Sequence, residues 1–585
     1  VAGPSCSLRR SRSDCPVVMM ARSFVVFLFT LPMAEVAGTW HAFNFTQTVD
    51  HFSAQCMKTF QQRYYIDDTH WRPGGALLHF LGGESPIGME QLPGMYPWAA
   101  QVAAKSLQAL VLVTEHRYFG ESLPFGPNLS FSVNAEGCSG GLGLLNVEQA
   151  LRDFVAVAAS VKAGRCQGCP VIALGGSYPG LLAVMIRVRY PDEVHSAVAA
   201  SAPLGFLAGG ADPFGWFRIV TDATAALDDQ CPGAVRHMFS AIRHADASAL
   251  TSQSGAALCK EGLGEDELRR EAEALVRTEL ATLAMSNYPP QSSPLAAACR
   301  RITDALASPN GGGGLGAVKA LLLTEKGTAG QTSAPSTSPQ CISVSAQRPA
   351  GRAGSVDCID RTGCGGGRAG EAWDYMGCTW LRIGIATNNV TDMFPPMPWS
   401  EEWVTRYCAR RFDSSPRPDL LPARFSFAEP AQLRIVTSRI IFTNGLRDGW
   451  SAGGILESPS AQLPAIVMPN GAHHSEMALP SANDTEDVVE GRHAILMHLE
   501  GWLQIQGVAS LGQQPTLLYG VVPANLEMAG AAPGAMMPVL ALSAIPGILI
   551  AALAIFSVCS RRTSSPAPLT SHPQSVGGNQ EPLLA

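Results

Sequence analysis

Charge is sparse in this chain, and long runs of one sign are missing. Only 15% of its 585 residues are Asp, Glu, Lys or Arg, and 41 basic against 48 acidic residues leave a formal charge of −7. With no basic stripe to neutralise a phosphate backbone, no nucleic-acid partner is expected. Paired metal-ligand spacings are also lacking. Of 15 cysteines, only Cys166 and Cys169 form a C-x-x-C. That pair precedes a short apolar run, whereas a thioredoxin-like motif would open a helix. No metal and no cofactor are expected. Disulfides account best for most of the cysteines, which implies an oxidising compartment.

Apolar runs long enough to matter to a membrane occur only near the ends. Arg9, Arg10, Arg12 and Arg22 precede the run Phe24 to Ala34, and small residues follow at Ala37 and Gly38. Basic, apolar, small is the order of a signal peptide, and the run is too short to span a bilayer. Residues 1–38 therefore read as upstream sequence and leader. A second apolar segment, Met536 to Cys559, has 24 residues and no charge. It is long enough to be a transmembrane helix. Arg561 and Arg562 follow it, which predicts a cytosolic tail over 560–585 behind a linker at 511–535. Four sequons, at Asn44, Asn128, Asn389 and Asn483, fit glycosylation during secretory passage. The expected location is a lysosomal, vacuolar or cell-surface membrane, with the body on the lumenal side.

The body reads as α/β. Ala76 to Leu81, Ala109 to Thr114, Val171 to Leu174 and Val198 to Ala202 are continuous apolar runs separated by helical periodicity, as over Asn146 to Ala163. Such runs suit strands buried on both faces of a doubly wound parallel sheet. Gln62 to Ile66 reads as a further strand at the start of the sheet. The pattern lapses between 206 and 425, where helical segments such as Glu265 to Met285 dominate. It returns with Arg439 to Thr443, Ala465 to Asn470 and a closing helix from Val488. One α/β domain (39–205 and 426–510) is thus expected to carry a helical cap insertion. The stretch 327–370 is too polar to form a core and reads as a loop, either disordered or tied down through Cys341, Cys358 and Cys364.

One strand end carries chemistry. Val171 to Leu174 leads into Gly175-Gly176-Ser177-Tyr178-Pro179-Gly180, the layout of a nucleophile elbow that lifts a serine above a sheet. The strict pattern is G-x-S-x-G, and Pro179 stands where its second glycine would be. Proline is tolerated in a helix's first turn, where its missing amide would be unpaired anyway. Asp448 and His473 follow later, each just after a strand. Serine, acid, histidine is the chain order of an α/β-hydrolase triad. Ser177 would attack a carbonyl, His473 would take its proton, and Asp448 would hold the imidazole.

These residues sit among motifs that resemble one family. Glu115 to Gly126 (EHRYFGESLPFG) is similar to the E-H-R-Y-Y-G-E-S-L-P-F-G signature of the lysosomal Pro-X carboxypeptidase and dipeptidyl peptidase II family. Gly175 to Gly180 resembles its G-G-S-Y-G-G elbow, Asn444 to Gly454 its N-G-x-L-D-P-W-S-G-G-G, and Gly471 to His474 its G-A-H-H. The resemblance implies an α/β-hydrolase with a helical cap and a Ser177, Asp448, His473 triad, His473 matching the first histidine of the pair. The backbone amides of Tyr178 and Gly83 would form the oxyanion hole, and Glu84 and Trp450 would contact substrate, Glu84 as partner of a substrate ammonium. The implied activity is serine exopeptidase cleavage next to proline in short peptides, in the manner of a Pro-X carboxypeptidase. Release of an N-terminal X-Pro dipeptide is the alternative, and a non-catalytic binding ectodomain is the rival of another class. Proline-containing peptides are the expected partners; a homodimer is left open. The chain departs from the family at Pro179, at Gly449 in place of proline, and at Ser475-Glu476-Met477 in place of L-D-L. Gly82-Gly83-Glu84 is closer to the thymus-specific serine protease.

Overall fold

The computed structural model describes residues 39–132, 137–260, 262–323, 341–344 and 358–504. The leader, the linker from 511, the apolar segment Met536 to Cys559 and the tail lie outside the described residues. Among the described residues no helix is long and apolar enough to cross a membrane.

The apolar runs form the centre of an eight-stranded sheet. Its strands are β1 (Trp40–Thr48), β2 (Thr59–Asp67), β3 (Leu77–Leu81), β4 (Leu110–Thr114), β5 (Val171–Gly176), β6 (Ser196–Ala200), β7 (Ile440–Gly445) and β8 (Ala465–Met468). They lie in the order β1-β2-β4-β3-β5-β6-β7-β8. Every residue of β3, β4, β5, β6 and β7 is buried, because helices cover both faces of these parallel strands. Successive residues serve opposite faces. Ala173, Ala197 and Phe442 pack with the helices Val147–Arg165 and Tyr178–Arg189. Ile172, Leu174, Val198 and Ile441 pack with Trp98, Leu107 and the closing helix Glu486–Leu503. At the edge, β1 pairs antiparallel with β2, and β2 antiparallel with β4.

This strand order reverses direction beside β3. The chain steps from β3 to β4 on one side, then returns to β5 on the other. Loops leaving the carboxyl ends diverge at such a point and leave a crevice. The segments that follow β3, β5, β7 and β8 carry Gly83, Ser177, Asp448 and His473.

Between β6 and β7 the chain is helical. Gly215–Leu227, Cys231–His244, Glu265–Met285, Pro294–Ala307 and Gly313–Leu322 share one apolar cluster with the sheet's helical face. Helix starts follow local chemistry: Ser293 and Ser400 accept the amides of Ala296 and Trp403 at 3.1 Å, satisfying donors a helix end leaves free. Disulfides Cys231–Cys299 and Cys378–Cys408 staple helices together. Cys56–Cys138, Cys166–Cys169, Cys259–Cys341 and Cys358–Cys364 complete the pairs among the described residues. The stretch 327–370 is therefore not uniformly loop. Cys341 and Cys358 are tied down, and the helix Gly367–Thr379 begins inside it.

Candidate active site

β5 ends at Gly176 and a helix begins at Tyr178, so Ser177 must turn the chain in one residue. It does so at φ 63°, ψ −128°, a conformation that L-residues adopt only when surroundings impose it. The Ser177 amide donates to Ala200 O at 2.8 Å, which pins the turn to β6. Gly175 is required here: a Cβ at that position would lie 2.3 Å from the Pro179 carbonyl. Pro179 itself sits in the first helical turn, and its ring faces Gly83, where a Cβ would come within 2.7 Å of Pro179 Cγ. The unusual proline is accommodated by a glycine on the neighbouring loop.

Asp448 follows β7 and is fully buried. Its Oδ2 meets His473 Nδ1 at 2.7 Å, and its Oδ1 accepts the Trp450 amide at 3.0 Å. Burial alone would depress the His473 pKa; the Asp448 carboxylate outweighs it and holds the imidazole above its ordinary 6.5. His474 points elsewhere. Its amide donates to Ser201 Oγ at 2.9 Å, and its ring packs edge-on to Tyr96 at 5.7 Å. Burial and the neighbouring His473 push its pKa down to about 3, so it is neutral. Only the first histidine of the pair is coupled to an acid.

Ser177, Tyr178, Gly83, Glu84, Trp450 and His473 line one cavity of about 440 Å³, a size suited to a short peptide segment. Ser177 Oγ has no hydrogen-bond partner among the described residues, and His473 Nδ1 is engaged with Asp448, leaving Nε2 as the nitrogen able to serve a nucleophile. Gly82 N–H is spent on Thr114 O at 2.9 Å. The amides of Gly83 and Tyr178 are in no backbone hydrogen bond among the described residues, as an oxyanion hole needs. Phe206, Leu207, Leu381, Ile383 and the Trp450 ring make an apolar floor.

Glu84 is not a solvated loop acid: it is inside this cavity, where burial raises its pKa and His473 partly offsets the rise. Sequence reasoning missed its companion. Asp360 lines the same cavity, accepts Thr362 N, Thr362 Oγ1 and Trp373 Nε1 at 2.9, 2.7 and 3.1 Å, and is likewise raised by burial. It lies in the stretch read as loop. The short spacing from Cys358 to Cys364, which rings it with a disulfide, was the available signal. No Lys or Arg is among the lining residues that the structure describes.

The EHRY run lies behind this cavity, fully buried. Glu115 accepts the amides of Ile87, Glu121 and Ser122 at 3.0, 3.1 and 3.0 Å, joining the loop after β3 to its own. Arg117 makes a two-pronged pair with Asp153 at 2.6 and 2.7 Å. His116 Nε2 meets the Tyr178 hydroxyl at 3.0 Å. The four sequon asparagines are all exposed.

Comparison with known proteins gives a consistent result. The family described as Serine carboxypeptidase S28 matches residues 47–495. The Lysosomal Pro-X carboxypeptidase of Mus musculus is 31% identical over 482 residues, covering 81% of this chain and 91% of that one. That of Homo sapiens is 30% identical over 483 residues, covering 81% and 90%. The Thymus-specific serine protease of Mus musculus is 26% identical over 478 residues, covering 78% and 86%.

Proposed function

This chain belongs to the serine carboxypeptidase S28 family, and we propose that it cleaves short peptides next to proline through an acyl-enzyme formed on Ser177. It is a serine peptidase by family; the residue roles that follow are our reading. Ser177 Oγ attacks the scissile carbonyl and His473 Nε2 takes its proton. Asp448 stabilises the imidazolium that results, and the amides of Gly83 and Tyr178 receive the developing oxyanion. His473 then protonates the leaving amine, and water repeats the sequence to release the acyl half. The observation that carries this reading is the 2.7 Å His473–Asp448 pair in the cavity that holds the strained Ser177. The apolar floor suits a proline ring.

Pro-X carboxypeptidase action is the reading the relatives support. One observation favours the second reading, release of an N-terminal X-Pro dipeptide. Two carboxylates, Glu84 and Asp360, line one cavity in which no described lining residue is Lys or Arg, which suits a substrate ammonium better than a carboxylate. We further propose that Asn44, Asn128, Asn389 and Asn483 are glycosylated, that the body is lumenal in a lysosomal or surface compartment, and that Met536 to Cys559 anchors it.

Two peptides test the reading, one N-blocked with a free C-terminal residue after proline, the other with a free N-terminal X-Pro. Ser177→Ala should abolish cleavage and fluorophosphonate labelling. Asp448→Asn should lower kcat by about 10³–10⁴-fold through the wrong imidazole tautomer. Labelling that persists in Ser177→Ala would remove the nucleophile from that position. Glu84→Gln should raise KM for the free-amine peptide by about tenfold or more and spare the blocked one, if the carboxylates hold an ammonium.

A further inference from the structure

The apolar floor of the Ser177 cavity comes largely from two separate segments. Phe206 and Leu207 lie on the short helix Leu204–Ala208, and Leu381 and Ile383 on a stretch that is neither helix nor strand. The first segment is fixed by its own backbone: the helix ends at Gly209, whose amide donates to Phe206 O at 3.1 Å. The second is not. Among the described residues, Arg382, Ile383 and Gly384 make no backbone hydrogen bond. Behind Leu381 and Ile383 lies a void of about 20 Å³, room for about one water. Close packing therefore does not hold these two residues from the rear.

Arg382 joins the parts. Its neighbours Leu381 and Ile383 line the Ser177 cavity, whereas Arg382 lines only the void. Its guanidinium lies against Gly209, where a Cβ would meet Arg382 Nη1 at 2.2 Å. It pairs with Glu401 in the first turn of the helix Glu401–Phe412 and stands 5.4 Å from the centre of the Trp399 ring. From the middle of one floor segment, a single side chain thus reaches the end of the helix that carries the other, and a cap helix as well.

We propose that Arg382 is a positioning residue for the proline pocket. It holds the two halves of the floor at the separation that fits a proline ring, and so sets the preference for proline over smaller residues before the scissile bond. It touches no substrate and acts through Leu381 and Ile383. The proposal rests on the prolyl-peptidase reading but not on which peptide end is recognised, because proline supplies the acyl carbonyl in both activities. A planar guanidinium stacks on an aromatic ring while it bonds a carboxylate, which a lysine ammonium does less well. A floor free to spread loses more contact with a five-membered ring than with a methyl group, since the ring has more apolar area to lose.

The test uses the full chain and pairs of peptides that differ only in proline or alanine before the scissile bond. Wild type defines the Pro:Ala ratio of kcat/KM. Arg382→Met should lower that ratio about fivefold, mainly through a higher KM for the proline peptide. Arg382→Lys, which keeps the charge, should fall between the two. Glu401→Gln removes one anchor at an exposed helix start and should lower the ratio about twofold. Ratios within one variant cancel any difference in folded fraction, and a merely structural role would lower both rates alike. A ratio unchanged in Arg382→Met, or in Glu401→Gln where Arg382→Met does not fold, would overturn the positioning role and leave the enzyme reading standing. If wild type cuts no proline peptide, the prolyl-peptidase reading fails and takes this inference with it.

Discussion

His116 has no part in the proposed bond making, yet its two nitrogens organise the residue next to the proposed nucleophile, Ser177. Nδ1 lies 2.7 Å from Arg117 O, a carbonyl that can only accept, so Nδ1 carries the proton. Nε2 must then accept from the Tyr178 hydroxyl at 3.0 Å. Burial pushes the His116 pKa down to about 4, which keeps this neutral tautomer at working pH. The Tyr178 ring packs edge-on to Trp373 at 5.3 Å, and Trp373 Nε1 donates to Asp360 at 3.1 Å. One histidine thus ties the elbow to the acidic wall. His116→Phe leaves a buried hydroxyl without an acceptor, and Tyr178→Phe leaves a buried nitrogen without a donor. Each should destabilise by about 1–3 kcal/mol. The double variant should lose little more than either single, since both orphans are then gone. Denaturant unfolding of the four proteins measures this coupling; strictly additive losses would show that the hydrogen bond carries none of it. The singles should also raise KM more than they lower kcat, because Asp360 shifts while Ser177 and His473 remain.

At the scale of elements, the loop after β3 and the helix after β5 share one contact that the family pattern lacks. Pro179 fills the space that Gly83 leaves, so the proposed oxyanion loop rests on a rigid ring. Gly83→Ala should push the two apart and lower kcat/KM by about tenfold or more, as the Gly83 amide leaves its position. Gly83→Ala with Pro179→Gly should recover much of that activity, measured by hydrolysis of the same proline peptide. If the pair is no better than Gly83→Ala alone, the ring is not what the new methyl meets. This contact was half legible. The proposed elbow, acid and base could be placed because a parallel sheet buries continuous apolar runs, and Ser177, Asp448 and His473 follow the ends of such runs. β1 could not: an edge strand of WHAFNFTQT buries little and shows no run. Asp360 was hidden because its stretch is rich in Gly and Ser, and the disulfide, the buried Ile359 and the hydrogen bonds that hold it in place leave no periodic pattern in the sequence. The meeting of Pro179 with Gly83 joins positions 96 residues apart and has no signature in either segment.

For the whole molecule, acidification acts on activity and on stability through different residues, and the two can be separated. In the proposed mechanism His473 must be unprotonated to accept the Ser177 proton. Burial opposes its protonation, but Asp448, with Glu84 and Glu476 nearby, raises its pKa above 6.5. The acid limb of kcat/KM should therefore have its midpoint above 6.5, the rate falling as pH drops through it. Glu476→Gln removes one of the charges that favour the imidazolium, so its limb should move to lower pH. A wild-type midpoint below 6.5, or a limb that Glu476→Gln leaves in place, contradicts this assignment. Stability runs on His79, His116 and His474, whose folded pKa values burial lowers to about 3, 4 and 3. Below the unfolded value of 6.5 the unfolded chain takes up protons that the folded one refuses. Their contribution is thus complete above 6.5 and declines as pH falls towards 4. The acids Glu84, Asp360, Asp374 and Glu476, Glu84 half-buried and the others buried, have raised pKa values and act in the opposite sense, favouring the folded chain as they take up protons. The two sets oppose each other on acidification, whereas the charges of Asp448, Glu84 and Glu476 favour protonation of the proposed base. Activity should consequently fall at a higher pH than the unfolding transition does, and return when the pH is restored. Kinetics and thermal unfolding on the same samples, from pH 8 to 4, test this. Activity that falls only together with unfolding would mean that His473 does not set the limb.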